Sequence, residues 1–247
     1  MQPARGSASE LGSVATWFRW VGEKVTKRCI AFAAAVAILT SSVAAAELPT
    51  QCTTDAMIVF DASGSMVENG EASATRIDEA RSALARILPQ VSHSRRLGLI
   101  TYGPGPFEQC NVTLNYQPMP DAAERILSAV KSLQPAGRTP LTRAVEYAAD
   151  ILDFRNRPGV VVLVTDGEEN CSRSPCALAK ELHALARALT VHVIVYRLEI
   201  GWDGQQGRLE TKCLSDYNKG LYVPVSTEEE LVAALQKTLG CPLVSKN

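Results

Sequence analysis

Histidine is scarce in this chain of 247 residues, with only three copies, and aromatic residues make up only 6%. Neither charge sign dominates. Lys+Arg is 25 and Asp+Glu is 26, for a net charge of −1. A broad basic footprint for nucleic acid is therefore excluded. With three His and no C-x-x-C spacing among seven Cys, a zinc site has little to draw on. Glycine (16) and proline (13) are too few for a collagen-like or low-complexity chain, and 46% hydrophobic residues suit an ordinary globular protein. No G-x-x-x-x-G-K-[ST] phosphate loop and no G-x-S-x-G elbow occurs. A phosphohydrolase built on Asp61 would want a second Asp where Ser63 stands. His192 falls in a strand pattern and His183 in a helix pattern, so a Ser–His–Asp site lacks an evident base. The expectation is a protein that is not an enzyme. A metal-assisted hydrolase is the weaker alternative.

Long apolar runs are also missing, with one exception near the start. Lys24, Lys27 and Arg28 precede the apolar stretch Cys29–Leu39, and Val43-Ala44-Ala45-Ala46 follows before Glu47. A basic region, a short apolar region and small residues at a cleavage point predict a secretory signal peptide over 1–46. The apolar stretch is shorter than the ~20 residues that a spanning helix needs. Cleavage would remove five basic and two acidic residues and leave 20 against 24. No later segment is apolar enough to span a membrane, so the expected location is the periplasm or the exterior. Six Cys remain in 47–247: Cys52, Cys110, Cys171, Cys176, Cys213 and Cys241. An even count in an exported chain predicts up to three disulfides.

The rest of 47–247 alternates short apolar runs with amphipathic segments. Strands are expected at Met57–Phe60, Leu97–Tyr102, Val112–Tyr116, Val160–Val164, Val191–Leu198 and Leu221–Val225. Helices are expected around Ala80–Leu88, Ile126–Leu133, Leu141–Leu152, Leu178–Leu189, Leu209–Asp216 and Leu231–Leu239. Ser174 and Pro175 open the fourth of these as N-cap and first residue. Ser226 with Glu229 reads as a capping box for the last, and Gly240 as its stop. Val112–Tyr116 follows a Gly/Pro loop and reads as an antiparallel hairpin partner. Such alternation implies an α/β fold, a doubly wound and mostly parallel sheet with helices on both faces.

In such sheets ligands bind beyond the carboxyl ends of the strands. There the first strand runs into Asp61-Ala62-Ser63-Gly64-Ser65, the Val-rich strand runs into Thr165-Asp166-Gly167, and Gly137-Arg138-Thr139-Pro140 opens a helix. Two carboxylates and three hydroxyls can thus converge. These are hard oxygen donors suited to Mg²⁺, Mn²⁺ or Ca²⁺. Taken singly, each residue is also a good turn or cap residue.

Those residues, in that order, resemble the von Willebrand factor type A domain, in particular its exported bacterial members. The likeness rests on Ile58–Met66, Gly137–Leu141 and Val162–Gly167, and it extends over about 52–239 of a single domain, 47–247. It implies a six-stranded sheet with one antiparallel edge strand. It also implies a complete metal-ion-dependent adhesion site, most readily for Mg²⁺. Ser63, Ser65 and Thr139 would ligate through hydroxyls, and Asp61 and Asp166 mostly through bound water. A protein partner would then supply an Asp or Glu to the cation. The alternative is an extracytoplasmic scaffold in which the metal is only structural. Glu168 and Glu169 read as solvated loop residues or as negative charge on the rim, and Arg138 as a possible contact for a partner carboxylate.

The disulfide pattern stays open. Cys52 precedes the first strand and Cys241 follows the last helix on the same face, so a bond between them would tie the ends of the domain. Cys171 and Cys176 could pair locally, leaving Cys110 and Cys213 far apart. Alternatively, Cys110 bonds into the 171–176 loop and the displaced Cys reaches Cys213.

Overall fold

Alternation of side chains along a strand forces every buried strand to feed two cores. The computed structural model describes residues 52, 54–70, 74–197 and 205–241. They belong to Pro49–Asn247, the second of the two compact units into which the chain divides. The predicted signal peptide, 1–46, lies outside the described residues.

The elements in chain order are β1 (Ala56–Asp61), a 3-10 turn (Gly64–Val67), α1 (Arg76–Val91), β2 (Leu97–Tyr102), β3 (Val112–Met119), α2 (Ala123–Ser132), α3 (Leu141–Ile151), β4 (Pro158–Thr165), α4 (Pro175–Leu185), β5 (Ala188–Tyr196), α5 (Gln205–Tyr217), β6 (Tyr222–Val225) and α6 (Glu228–Leu239). The sheet order is β3-β2-β1-β4-β5-β6. All pairs are parallel except β2–β3. The expected doubly wound architecture with one antiparallel edge strand is thus what the chain adopts.

Ile58, Phe60, Leu84, Leu88, Ile126, Ile194, Leu231 and Leu235 fill one side of the sheet, beneath α1, α2 and α6. Met57, Val59, Ile100, Val145, Leu163, Leu178, Leu182, Val193 and Leu214 fill the other, beneath α3, α4 and α5. β1 and β2 are buried along their whole length and β4 along most of it, which is why they read as continuous apolar runs rather than alternating ones. β1 pairs with β2 on one edge and β4 on the other, so the chain reverses its winding between β1 and β4. The carboxyl ends of those two strands form the crevice in which ligands of this architecture sit.

Several boundaries differ from the sequence expectation. Ser174 caps α4 as expected and accepts the Ala177 N–H at 3.3 Å. That helix stops at Leu185, however, and Leu189 belongs to β5, because Ala186 is already extended and the Arg187 N–H donates to Phe154 C=O. The last helix starts one residue later than Ser226 suggests. Thr227 is the N-cap, its hydroxyl accepts from Glu230 N–H, and the Glu230 carboxylate accepts from Ser226 N–H. This resembles a capping box moved one position on, with the return bond made to the N–H before the N-cap rather than to the N-cap itself. Gly240 does end the helix, in extended geometry (φ −63°).

Three disulfides form. Cys52–Cys241 joins the ends of the domain, as its placement suggested, with Cα atoms 5.4 Å apart. The other two follow the crossed alternative, Cys110–Cys171 and Cys176–Cys213, so the local Cys171–Cys176 pairing is overturned. Ser172 takes a left-handed conformation (φ 68°) between them. Cys171 bonds the β2–β3 loop, while Cys176, at the second position of α4, bonds Cys213 on α5. Among the described residues no helix is long and apolar enough to cross a membrane.

Candidate metal centre

Asp61 closes β1 and is completely buried. Its Oδ1 accepts the Ser63 N–H at 2.7 Å. Its Oδ2 accepts two hydroxyls, from Thr165 at 2.7 Å and from Tyr102 at 2.8 Å. Three of the roughly four acceptor positions of this carboxylate are therefore filled by protein. Tyr102 is opposite Asp61 in the β1–β2 register, and Thr165 closes β4. The sheet itself aims these groups.

Ser63 and Ser65 flank the start of the 3-10 turn, with hydroxyls 3.2 Å apart. Ser65 Oγ donates to Asp166 Oδ1 at 2.7 Å. Asp166 Oδ2 accepts from Arg76 Nη1 at 3.0 Å, and Arg76 also pairs with Glu68 at 2.8 Å. The Ser loop is held against the Thr loop by Gly64 N–H donating to Gly137 C=O at 3.0 Å. Gly103, on the β2–β3 loop, has φ +92°, and a Cβ there would lie 2.3 Å from Ser63 N, so only glycine fits. A Cβ on Gly167 would lie 3.7 Å from Ser65 Oγ and 4.0 Å from Thr139 Oγ1, so both hydroxyls border the same space beside Gly167. The structure thus brings Asp61, Ser63, Ser65, Thr139 and Asp166 to one place.

Asp61 takes up a turn role through the Ser63 N–H, whereas the side chains of Ser63 and Thr139 cap no helix. Pro140, not Thr139, stands at the N-cap of α3, and no side chain of that residue caps the helix. Instead Glu169 reaches across. Its Oε2 accepts Thr142 N–H at 2.7 Å and its Oε1 accepts Cys171 N–H at 2.8 Å. An anionic side chain at a helix N-terminus is favourable, and here it relieves Thr139 of capping. Glu169 is therefore a structural acceptor, not a solvated loop residue. Asn170 braces Thr139 directly, because its Oδ1 accepts Thr139 N–H at 2.7 Å. Arg138 pairs with Glu108 at 3.0 Å and donates to Asn170 C=O at 3.4 Å, so it spans two loops.

Electrostatics mark the spot. Burial pushes the Asp61 carboxyl up, against the hydrogen bonds it accepts. Burial, then the charge of Asp61, push Asp166 up from 3.8 to about 6, against Ser65 and Arg76. Tyr102 is raised well above its usual value by burial and by Asp61, so it stays a neutral donor. Burial thus raises both carboxyls, and the charge of Asp61 raises Asp166 further. Among the described residues no three His, Cys, Asp or Glu side chains gather. What the site offers is two carboxylates and a set of hydroxyls, a donor set that fits a hard divalent cation.

Sequence reasoning assigned no role to Tyr102, Thr165, Arg76 or Asn170, and it read Glu169 only as a loop or rim charge. A signal existed for some of them. Thr101-Tyr102 puts polar atoms at the end of an otherwise apolar buried strand. Arg76 is a cation at the first position of a helix, where the dipole disfavours it.

Residues 56–169 match the von Willebrand factor type A domain. The uncharacterized protein YwmD of Bacillus subtilis is 27% identical over 219 residues, covering 82% of this chain and 93% of that protein. The vWF domain of the type V pili tip protein Mfa5 from Porphyromonas gingivalis has the same fold. Its TM-score is 0.57 at 12% identity, covering 78% of this chain and 95% of that one. The pilus adhesin SpaC from Lactobacillus rhamnosus GG aligns with a TM-score of 0.57 at 14% identity, over 77% of this chain and 31% of that one. The fold of this chain is that of a von Willebrand factor type A domain.

Proposed function

We propose that this von Willebrand factor type A fold is an exported, non-enzymatic, protein-binding module that presents a divalent cation to a carboxylate of its partner. Ser63, Ser65 and Thr139 would hold the cation through their hydroxyls, with Asp61 and Asp166 acting mostly through water. Mg²⁺ is favoured, and Mn²⁺ or Ca²⁺ would also suit the oxygen set. The cation would supply a Lewis-acidic point that draws in an Asp or Glu of the partner. The chain's own residues fix the position. Tyr102, Thr165 and the Ser63 N–H occupy most of Asp61, and Arg76 and Ser65 orient Asp166.

One observation carries the reading. Two buried carboxyls and the hydroxyls of Ser63 and Ser65 meet at the carboxyl ends of β1 and β4, in an arrangement that raises both carboxyl pKa values. The three disulfides suit an oxidising compartment, and two proteins that share this fold are by name a pilus adhesin and a pili tip protein.

The test is thermal unfolding of the oxidised protein in EDTA and in Mg²⁺, Mn²⁺ or Ca²⁺, for wild type and Asp61→Ala. A ligand at 100 times its dissociation constant stabilises by about 2.7 kcal/mol. A saturable rise in wild type that is lost in the variant is expected, and metal-dependent capture of the partner would follow. Because Arg76 already neutralises Asp166, a metal-independent scaffold is the second reading. It predicts no rise in either protein and partner capture unaffected by EDTA.

A further inference from the structure

Thr139 depends on its neighbours more than the other hydroxyl residues of the site do. Ser63 and Ser65 follow β1 without a break, whereas Thr139 sits at the end of the loop that leads into α3. Two further loops grip it from either side. On one side Arg138 N–H donates to Gln109 C=O at 3.0 Å, and Gln109 is followed by Cys110. On the other, Thr139 N–H donates to Asn170 Oδ1 at 2.7 Å and Thr139 C=O accepts Asn170 N–H at 3.3 Å, and Asn170 is followed by Cys171. The Cys110–Cys171 bond joins the two grips. Gln109, Cys110, Cys171, Asn170, Thr139 and Arg138 thus form a closed ring of covalent and hydrogen bonds. Arg138 reinforces it from above, with one guanidinium nitrogen on Glu108 and the other on Asn170.

From this ring we infer that the Cys110–Cys171 disulfide is a positioning device for Thr139, and that reducing it weakens the hold of this site on a divalent cation. The inference rests on the metal-binding reading above. Without the covalent link the two grips are hydrogen bonds alone, and the Gly103-Pro104-Gly105-Pro106 stretch belongs to no strand. Both cysteines are half-buried, within reach of a small dithiol. Reduction is a two-electron, two-proton exchange. A dithiol's thiolate attacks one sulfur to give a mixed disulfide, and its second thiol displaces the protein. The products are two protein thiols and a cyclic disulfide of the reductant. The domain keeps its end-to-end bond, Cys52–Cys241, and the α4–α5 bond, Cys176–Cys213, when only this one opens.

The test compares oxidised wild type, Cys110→Ser/Cys171→Ser, and Cys176→Ser/Cys213→Ser. The last is a matched control. Its bond closes a span of 37 residues against 61, a similar loop-closure entropy, yet it joins α4 to α5 and is no part of the ring around Thr139. Mn²⁺ affinity is measured by calorimetry, and amide exchange of residues 138–142 is measured on the metal-free proteins. Loss of a group that orients a ligand typically weakens metal binding about 10–100-fold. The Cys110/Cys171 variant should weaken Mn²⁺ by at least about tenfold on that basis and speed exchange at Thr139 and Thr142. The control should leave both within about twofold. Asn170→Ala, which opens the same ring with the disulfide intact, should act in the same direction and covers the case in which the double variant does not fold. Wild-type affinity in the Cys110/Cys171 variant, or an equal loss in the control, overturns the inference. If wild type binds no divalent cation, the metal-binding reading fails instead. Unchanged exchange at 138–142 would then refute the clamp separately.

Discussion

Arg76→Met tests the electrostatic logic of the site most directly. Arg76 is 5% exposed, and its guanidinium is 3.0 Å from the Asp166 carboxylate, whose side chain is wholly buried. Methionine keeps the length of the side chain and removes its charge. Removing one partner of a buried ion pair typically costs about 3–5 kcal/mol, because the other charge is left uncompensated. Here the remaining charge is Asp166 beside Asp61, which already raises its pKa. For a domain of roughly 150–250 residues each kcal/mol is worth about 2–4 °C in Tm. The metal-free variant should therefore unfold roughly 6–20 °C below wild type. If a cation binds among these residues, it replaces the missing charge, so metal should stabilise the variant more than it stabilises wild type. Circular-dichroism melts in EDTA and in saturating Mg²⁺ read out both quantities. An equal deficit with and without metal would mean that Arg76 and the cation site are independent. A deficit below about 1 kcal/mol, the scale of an exposed pair, would refute the claim that Arg76 compensates a buried charge.

Three further outcomes are expected. Asp166 is raised to about 6 in the folded state, so its contribution to stability is present below about pH 4 and is lost as pH rises through 6. His192, lowered to about 4 by burial and by Arg95, loses stability in the opposite direction as pH falls below 6.5, so the readout is metal-free wild type minus Asp166→Asn, in which His192 cancels. That difference should fall by roughly 3 kcal/mol between pH 4 and 7, at about 1.4 kcal/mol per pKa unit, and a flat difference in urea titrations would refute it. Glu169→Ala removes the acceptor of two backbone N–H groups and should cost about 2–3 kcal/mol, with faster amide exchange at Thr142 and Cys171 as the check. Gly103→Ala forces a side chain into a left-handed position and onto the Ser63 backbone; it should cost more than about 1 kcal/mol and lower any metal-induced rise in Tm, and a neutral result would refute the packing argument.

The fold was legible because its signal is periodic and redundant. Met57–Phe60 and Val160–Val164 are apolar without interruption since both faces of β1 and β4 are buried. The apolar faces of α1, α3, α4 and α6 repeat at helical spacing, so an error of one residue at an end, as at Thr227, or of four, as at Leu189, leaves the topology intact. The five candidate site residues were legible for a different reason. Oxygen side chains that follow buried strands, or open a helix at the carboxyl edge of the sheet, can be placed from chain order alone.

Their supports could not be placed that way. Tyr102 reaches Asp61 only because β1 and β2 pair in one particular register, and register is not written in either strand by itself. Arg76 and Glu169 act across 90 and 27 residues of sequence, through loop conformations that no periodicity encodes. The cysteines show the limit most clearly. Cys52 and Cys241 could be paired because each sits at a known end of a known element. Cys171 and Cys176 share a loop, and their choice of partner turns on how that loop lies against the β2–β3 loop and against α5. The same contacts that decide the Cys110–Cys171 pairing also grip Thr139. The part of the disulfide pattern that the sequence left open is therefore the part that holds the candidate site together, and a single loop arrangement accounts for both.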